Sequence, residues 1–269
     1  LHPDIFYALV FPFNLFPSLV KKYEDYYLLV FRVFYSRTRK KIRNFVMEMS
    51  ESKSLMFMDS SNLDRTNQIL KLNLNPSIYL PILCRSTGTV KVNSMIYRKG
   101  LNISWVGRLC DFKVYILKYA IEKLSEIAEA QGKIIVFHVI GDGDKKELIE
   151  NISIDGKFFT LKQVGVIPKN ELDQYLTDFI DINLAMGTSA LESAKLSIPT
   201  VVLDYSYQEI RGDYIFRWVH NTKKFDLGHK ISALDYEKDN KTLEKILKEF
   251  EDEKETLKNA TYNYYRNNH

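Results

Sequence analysis

Four glycine-containing turns and two basic side chains carry the chemistry that the sequence suggests. Each turn follows a short apolar run, and the turns are Gly107-Arg108, Gly141-Asp142-Gly143, Gly165-Val166-Ile167-Pro168 and Gly187-Thr188-Ser189. A single glycine of this kind is weak evidence, because tight turns between strands and helices often need one. The carboxyl ends of parallel strands, however, meet at one edge of a sheet, where ligands bind. Together the turns predict one shared ligand cleft.

Arg108 and Lys113 make an anion the favoured ligand. Lys113 lies at or near the start of the helix predicted after the first turn, where the positive end of the helix dipole disfavours a cation by about 0.3 to 1 kcal/mol. Two cations are explained there if an anion binds between them. A solvated surface pair explains the spacing equally well.

The stretch MGTSALESAKLSIP, residues 186–199, has two interpretations. Gly187, Thr188 and Ser189 open a predicted helix, and free backbone N–H groups at a helix start bind anions. Ser189 and Glu192 also match the capping box, in which Ser caps the first turn and Glu reaches back to the cap N–H. The spacing alone favours capping, although Thr188 can face a phosphate while Ser189 caps.

Other candidate groups are poorer. His138 lies inside an apolar strand, as core histidines do, and His220 and His229 lie in a polar region without an evident partner. No Ser-His-Asp order, nucleophile elbow or P-loop occurs, so hydrolase and phosphotransferase classes lack support. Cys84 and Cys110 have no metal-type spacing, which predicts a reduced, cytoplasmic protein without a metal site.

The composition is that of a globular protein. Of the 269 residues, 45% are hydrophobic and 27% charged, which excludes wholesale disorder, and the net charge of +4 is too small for a dedicated nucleic-acid-binding protein. No apolar run reaches the ~18 to 20 residues of a membrane-spanning helix. The chain starts without Met inside an apolar segment that lacks the features of a signal peptide, so we expect further sequence ahead of Leu1.

The elements that must position the candidate residues form an α/β pattern. From Leu101 onward, strands are predicted at LNISWVG, KIIVFHVIG, KFFTLKQVG, DFIDINLAMG and IPTVVLD, with a helix through residues 117–128. Before it, strands are predicted at DIFYALVF, YYLLVFRVF and SLMFMD, with a helix at residues 39–49. A linker at residues 75–88 indicates domains at 1–84 and 85–239, and a charged helix within residues 240–269 is a candidate to pack back on the first domain.

The order of four motifs resembles a known family. VGRLCDFK, VIGDGDKKEL, VGVIPKNELDQYL and DINLAMGTSALESAKLSIPTVV follow one another between Leu101 and Asp204. They resemble the carboxyl-terminal domain of retaining, nucleotide-sugar-dependent glycosyltransferases of family 4, which have the GT-B fold of two Rossmann-like domains. The part before residue 85 is similar to the second half of a GT-B acceptor domain, which implies that the amino-terminal domain is incomplete here.

The resemblance implies a role for each matched residue. Arg108 and Lys113 match the Arg and Lys that neutralise the donor diphosphate as the sugar bond breaks. Gly165, Val166 and Ile167 match the turn that reads the nucleotide base, and Glu192 matches the carboxylate that holds the ribose hydroxyls. Thr188 and Ser189 lie where the diphosphate is expected, beside the Gly107, Gly141, Gly143 and Gly187 turns. The family needs no metal and no cofactor other than the nucleotide diphosphate-sugar donor.

One position departs from the family. Its first paired Glu stands eight residues before the second, where this chain has Leu184. The expected function is sugar transfer to a glycan or lipid-linked acceptor in polysaccharide biosynthesis, with retention. Two alternatives stay open: a catalytically silent nucleotide- or partner-binding subunit, which Leu184 favours, and a nucleotide-sugar epimerase on the same fold.

A basic cluster suggests a second hypothesis about location. Its members are Arg37, Arg39, Lys40, Lys41 and Arg43. Each basic residue near an anionic lipid surface contributes about 1 kcal/mol of attraction, so the cluster is a candidate contact with the inner face of a membrane. A solvated helix face explains it equally well.

Overall fold

A computed structural model describes residues 6–8, 28–75, 79–85, 99–152, 154, 156–231 and 241–269, with the backbone alone at 6–8 and 28–39. The chain forms two compact units, one of residues 1–82 and 223–226, the other of residues 83–222 and 227–269. The division at Ile82 falls inside the proline-containing segment that the sequence marks as a linker. Within the described ranges, no helix has both the length and the apolar composition needed to cross a bilayer.

The described part of the first unit contains a two-stranded parallel sheet and two helices. Its elements are β1 (Phe6–Ala8), α1 (Leu28–Glu51), β2 (Leu55–Phe57) and α2 (Ser60–Leu70). Val46 from α1, Phe57 from β2 and Leu70 from α2 are buried together in its core. Asp59 immediately precedes α2 and caps it, because its carboxylate accepts the N–H of Asn62 at 2.6 Å. The sequence analysis did not predict α2.

The strand predicted at YYLLVFRVF is wrong in the part that the structure describes. Residues 28–34 belong to α1, which runs without interruption into the predicted helix at 39–49. Aromatic and β-branched residues suggested a strand, but a strand needs a partner for its backbone groups. A helix that already exists extends by one hydrogen bond per added residue, so the helical segment continues toward the amino terminus. Lys40, Lys41 and Arg43 lie exposed on α1, whereas the side chains of Arg37 and Arg39 lie outside the described residues.

The second unit is built on a six-stranded sheet in the order β5-β4-β3-β6-β7-β8. The strands are β3 (Leu101–Val106), β4 (Ile135–Ile140), β5 (Phe159–Gly165), β6 (Ile182–Ala185), β7 (Thr200–Val202) and β8 (Arg217–Trp218). All neighbours pair in parallel except β8, which is antiparallel to β7. The five strands predicted from Leu101 onward are confirmed, and so is the mostly parallel α/β class.

Helices connect the parallel strands, and a last helix follows β8. They are α3 (Val114–Gln131), α4 (Glu147–Glu150), α5 (Lys169–Phe179), α6 (Thr188–Ala194) and α7 (Leu243–Asn268). Leu117, Ile121 and Leu124 lie on the buried side of α3, as the helical spacing of apolar residues predicts. Leu247 and Phe250 of α7 join the same core. The last helix therefore belongs to the second unit.

Candidate functional site

Three of the predicted turns lie side by side at the carboxyl edge of the sheet. The N–H of Gly107 donates to the carbonyl oxygen of Ile140 at 3.0 Å, and the N–H of Gly141 donates to that of Gly165 at 2.8 Å. Gly141 has φ +134°, and a Cβ atom there would lie 2.0 Å from the Gly107 carbonyl oxygen. The ends of β3, β4 and β5 therefore approach closely enough to require glycine.

The second glycine of the β4 turn fits against the loop after β3. A Cβ atom on Gly143 would lie 2.2 Å from the carbonyl oxygen of Leu109. The N–H of Leu109 donates to the carbonyl oxygen of Asp142 at 3.0 Å, and the N–H of Lys145 donates back to that of Leu109 at the same distance. These bonds fix the loop that carries Arg108 and Lys113.

Lys113 is the residue immediately before α3, as the sequence analysis predicted. Its Nζ lies 6.0 Å from the ring centroid of Trp105 and 5.7 Å from that of Phe112. The side chain is half-buried, and among the described residues no carboxylate lies within 4.0 Å of it. Burial lowers the pKa of Lys113 and the nearby Arg108 lowers it further, while Cys110 opposes the shift. An ammonium group therefore occupies a site that penalises positive charge.

Arg108 lies near Lys113 and is only weakly paired. Its side chain is 75% exposed and is 4.0 Å from Asp144, which is also well exposed. Exposed pairs of this kind contribute little stability. The guanidinium can therefore exchange Asp144 for an anionic ligand at small cost.

The Trp105 indole adds a polar atom to this region. Its Nε1 is buried and has no hydrogen-bond partner within the described parts of the chain. A Cβ atom on Gly107 would contact the indole at 3.0 Å. Glycine at position 107 therefore leaves space beside the indole, next to Lys113.

The capping-box interpretation of Ser189 and Glu192 is wrong. The residue before α6 is Gly187, not Ser189, and within the described ranges no side chain caps this helix. Gly187 has φ 62° and ψ −142°, a conformation that residues other than glycine rarely adopt. Its N–H donates to the carbonyl oxygen of Leu227 at 2.7 Å. Thr188 is exposed and Ser189 half-buried at the start of the helix.

Glu192 forms an ion pair one turn further along instead. Lys195 contacts Glu192 Oε2 and lies 3.1 Å from Asp173 of α5, and its own side chain is only 5% exposed. Burial lowers the pKa of Lys195, but its bonds to the two carboxylates outweigh this and raise it. The pair fixes the Glu192 side chain and joins α6 to α5.

A buried polar network, which the sequence analysis missed, holds α6 against the sheet. Asn183 of β6 accepts a hydrogen bond from Ser104 of β3 at 2.8 Å and donates one to Ser193 of α6 at 2.8 Å. Ser193 also lies 2.8 Å from the hydroxyl of Thr200 in β7. All of these side chains are buried. The only sequence signal is a set of polar residues inside otherwise apolar segments.

A second missed cluster follows β7. Asp204 is buried and accepts two hydrogen bonds from Arg217, at 2.7 and 2.8 Å, and one from the hydroxyl of Tyr214 at 2.9 Å. The backbone N–H of His229 also donates to Asp204 at 3.0 Å. The imidazole of His229 lies 3.4 Å from Arg217 Nη2. This cluster anchors the chain that follows Leu227, the residue that accepts the Gly187 N–H.

The structure places the remaining candidates in the core or at the edge. His138 lies 2.8 Å from the Tyr175 hydroxyl and 3.1 Å from Asn102, and burial lowers its pKa to about 4. The interpretation as a core histidine is confirmed. Leu184, at the position of the first family Glu, is a β6 residue only 1% exposed. Val166, in the third turn, is 72% exposed despite its apolar side chain.

The described residues of each unit, taken by themselves, assemble no set of metal ligands. We considered groups of three His, Cys, Asp or Glu side chains that belong to a single unit. Among the described residues, no such group has its ligand atoms close together. Both carboxylate oxygens of Asp204 are bonded to Arg217. Cys84 and Cys110 are free thiols, and burial raises the pKa of each. Metal independence stays a prediction.

Comparisons with known proteins find solved structures that resemble this chain at low sequence identity. No family model matches the sequence, and no curated protein matches it. The pneumococcal O-GlcNAc transferase GtfA, solved with UDP and GlcNAc, is 16% identical with a TM-score of 0.45, over 82% of this chain and 44% of GtfA. TarM is 14% identical with a TM-score of 0.48, over 85% of this chain and 42% of TarM. The lipopolysaccharide outer core galactosyltransferase WaaB is 13% identical with a TM-score of 0.42, over 88% of this chain and 80% of WaaB. The chain thus spans less than half the length of GtfA and TarM.

Proposed function

We propose that the second unit binds a nucleotide diphosphate-sugar at the carboxyl edge of its sheet. In this proposal the protein is a glycosyltransferase that moves the sugar to a glycan or lipid-linked acceptor, with retention. The observation that carries the proposal is Lys113, a half-buried cation at a helix start with no carboxylate within 4.0 Å among the described residues.

The environment of Lys113 is unfavourable unless an anion binds. Burial disfavours the charged form, and the dipole of the 18-residue helix α3 disfavours a cation at its start. Arg108 adds a second positive charge, which also lowers the pKa of Lys113. A bound diphosphate would offset each of these three effects. The rings of Trp105 and Phe112, with centroids 6.0 and 5.7 Å from the Lys113 Nζ, offset part of this cost, and a bound anion would offset more of it.

The neighbouring groups suit a nucleotide diphosphate. Thr188 and Ser189 at the start of α6 offer hydroxyl and N–H donors beside Gly187, whose backbone leaves the approach open, with nothing within 4 Å of a Cβ atom placed there. The exposed side chain of Val166 provides an apolar surface of the kind that a nucleotide base covers. Lys195 holds Glu192 by Oε2, which leaves its other carboxylate oxygen to accept a hydrogen bond from a ribose hydroxyl.

The proposed mechanism is a displacement at the anomeric carbon. The acceptor hydroxyl oxygen bonds to this carbon on the face from which the diphosphate departs, as the bond from the carbon to the diphosphate oxygen breaks, so the configuration is retained. The departing diphosphate takes the hydroxyl proton, so no protein base is needed. Lys113, Arg108 and the Thr188-Ser189 turn stabilise the negative charge that develops on the leaving oxygen, which is the interaction that lowers the barrier.

A catalytically silent binding subunit is the second candidate. Leu184 favours it, because the position of the first family Glu is buried in β6 and cannot reach a sugar. Hydrolysis of nucleotide-sugar by the complete protein separates the two. A transferase slowly transfers the sugar to water and releases the nucleotide diphosphate, whereas a silent subunit binds the donor without turnover.

A thermal-shift screen with UDP, GDP, ADP and their sugars tests the proposal. A ligand at 100 times its dissociation constant stabilises the protein by about 2.7 kcal/mol. We expect one nucleotide diphosphate to raise the melting temperature and the corresponding monophosphate to raise it less. If no nucleotide shifts the melting temperature, the donor-site assignment fails.

An anionic membrane is a proposed location for the acceptor. Lys40, Lys41 and Arg43 project from α1 into solvent, with the half-exposed Phe45 beside them. Sedimentation with phosphatidylserine vesicles and with neutral vesicles tests this. Equal binding to both vesicle types contradicts it.

A further inference from the structure

Three aromatic rings from two separate loops pack together at the carboxyl edge of the sheet. Phe112 precedes α3, and Tyr205 and Tyr207 follow β7; we call these three residues the aromatic platform. The centroid distances are 5.6 Å between Phe112 and Tyr205, 6.0 Å between Phe112 and Tyr207, and 6.1 Å between Tyr205 and Tyr207. The rings are inclined at 46 to 89° to one another, in the range of tilted and edge-to-face aromatic pairs.

The aromatic platform borders the candidate diphosphate site. Phe112 is next to Lys113 in the chain, and its ring centroid is 5.7 Å from the Lys113 Nζ. Tyr207 is 41% exposed, which is unusual for a large ring packed against two others. Phe112 and Tyr205, the other two members, are half-buried. A cation and an accessible aromatic surface therefore lie side by side.

The loop that carries the platform is held in place before any ligand binds. The N–H of Ser206 donates to the carbonyl oxygen of Phe112 at 3.0 Å. The Ser206 hydroxyl bonds to Gln208, and Lys118 of α3 lies 3.1 Å from Glu209. These bonds position Tyr207 on both sides along the chain. A surface fixed in advance loses little conformational entropy on binding.

We infer that the aromatic platform binds the pyranose ring of the donor sugar. The inference rests on the proposed function, since it places the sugar relative to a diphosphate at Lys113. The sugar is bonded directly to the second phosphate, so a phosphate at Lys113 brings the sugar within reach of Phe112 and Tyr207. Aromatic faces pack against the apolar C–H face of a pyranose, and a tyrosine hydroxyl can bond to a sugar hydroxyl. Leu184 is buried and cannot provide this contact.

Binding of nucleotide with and without sugar tests the inference in the full chain. Calorimetric titrations of the wild type compare UDP with UDP-glucose, GDP with GDP-mannose and ADP with ADP-glucose. The pair that the wild type binds is then used for the variants. Tyr207→Ala should weaken nucleotide-sugar binding about five- to tenfold and change nucleotide binding less than about twofold, as expected for one ring contact. Tyr207→Phe should retain most of the sugar affinity because the ring remains.

The matched control is Tyr262→Ala on α7, which removes another exposed tyrosine, 38% exposed, outside the platform. It should change neither affinity. Equal weakening of nucleotide and nucleotide-sugar binding in Tyr207→Ala, or no weakening of either, overturns the platform while leaving the proposed function intact. If the wild type binds no nucleotide and no nucleotide-sugar, the proposed function itself fails.

Discussion

Gly141 packs directly on the backbone of Gly107. A Cβ atom on Gly141 would lie 2.0 Å from the Gly107 carbonyl oxygen, and the Gly141 backbone has φ +134°. The turn after β4 therefore closes against the turn after β3 only when residue 141 has no side chain. Because the β3 turn carries Arg108 and leads to Lys113, this contact sets the position of both cations.

Substitution of glycine by alanine at two turns should have very different effects. Gly141→Ala must displace backbone atoms and should lower the free energy of unfolding by about 3 kcal/mol or more, beyond the ~1 to 2 kcal/mol of left-handed strain. Gly165→Ala introduces similar backbone strain at φ +76°, but the added Cβ atom has open space around it. The free energy of unfolding should therefore fall only by the ~1 to 2 kcal/mol of strain. Urea denaturation of both variants measures the difference, and equal losses would show that the close approach has no energetic consequence.

Loss of Lys195 should destabilise the second unit because it leaves Glu192 and Asp173 without their buried partner. Removing one member of a buried ion pair costs about 3 to 5 kcal/mol, and the partial exposure of both carboxylates places Lys195→Met near the lower end. The double variant Lys195→Met with Asp173→Asn should recover part of the loss. Lys195→Met should also reduce the preference for a ribonucleoside over a 2′-deoxyribonucleoside diphosphate. An unchanged preference would separate Glu192 from ribose binding.

Asp59 predicts a pH dependence of stability in the first unit. Burial raises its pKa from 3.8 to about 6. The negative charges of Asp226 and Asp64 also raise this pKa, whereas the hydrogen bond from Asn62 lowers it. The folded state therefore holds more protons than the unfolded state between about pH 4 and 6, and this contribution to stability is lost as the pH rises through that range.

Asp59→Asn should remove this dependence, since Asn keeps the cap acceptor without the charge. At pH 7.5 the variant should be more stable than the wild type by up to about 3 kcal/mol, at 1.4 kcal/mol per pKa unit. The difference should shrink toward pH 4. Guanidinium denaturation across this range measures it, and a difference that does not vary with pH would contradict the raised pKa.

Local patterns made most of the second unit predictable. The β-branched runs that became β3 to β7 and the apolar spacing of α3 follow periods that depend only on neighbouring residues. Lys113 was placed at a helix start for the same reason. The strand predicted at YYLLVFRVF was wrong because a strand needs hydrogen-bond partners from distant residues. The helix that replaces it needs no such partners.

Contacts between segments that are distant in the chain could not be predicted from the sequence. Asn183 meets Ser104, 79 residues away, and Arg217 meets Asp204 across a loop; neither pairing has a local signature. The capping box failed for a related reason. Glu192 matched the spacing, but it pairs with the buried Lys195, which also contacts Asp173, instead of with a helix-end N–H. The sequence therefore indicated where the turns and cations lie along the chain but not the networks that hold them, and their role as a site stays a prediction.

The most direct test of the donor site is nucleotide affinity and stability measured together in Lys113→Met. The matched control is Lys123→Met, which removes a half-buried lysine from the same helix, where Lys123 pairs with Glu126. A lost charged hydrogen bond of about 1.5 to 3 kcal/mol corresponds to roughly 10- to 150-fold weaker binding of the nucleoside diphosphate. Lys113→Met should show this loss with an unchanged or higher melting temperature, because a penalised charge is removed, whereas Lys123→Met should bind normally. Normal nucleotide affinity in Lys113→Met would contradict the donor site.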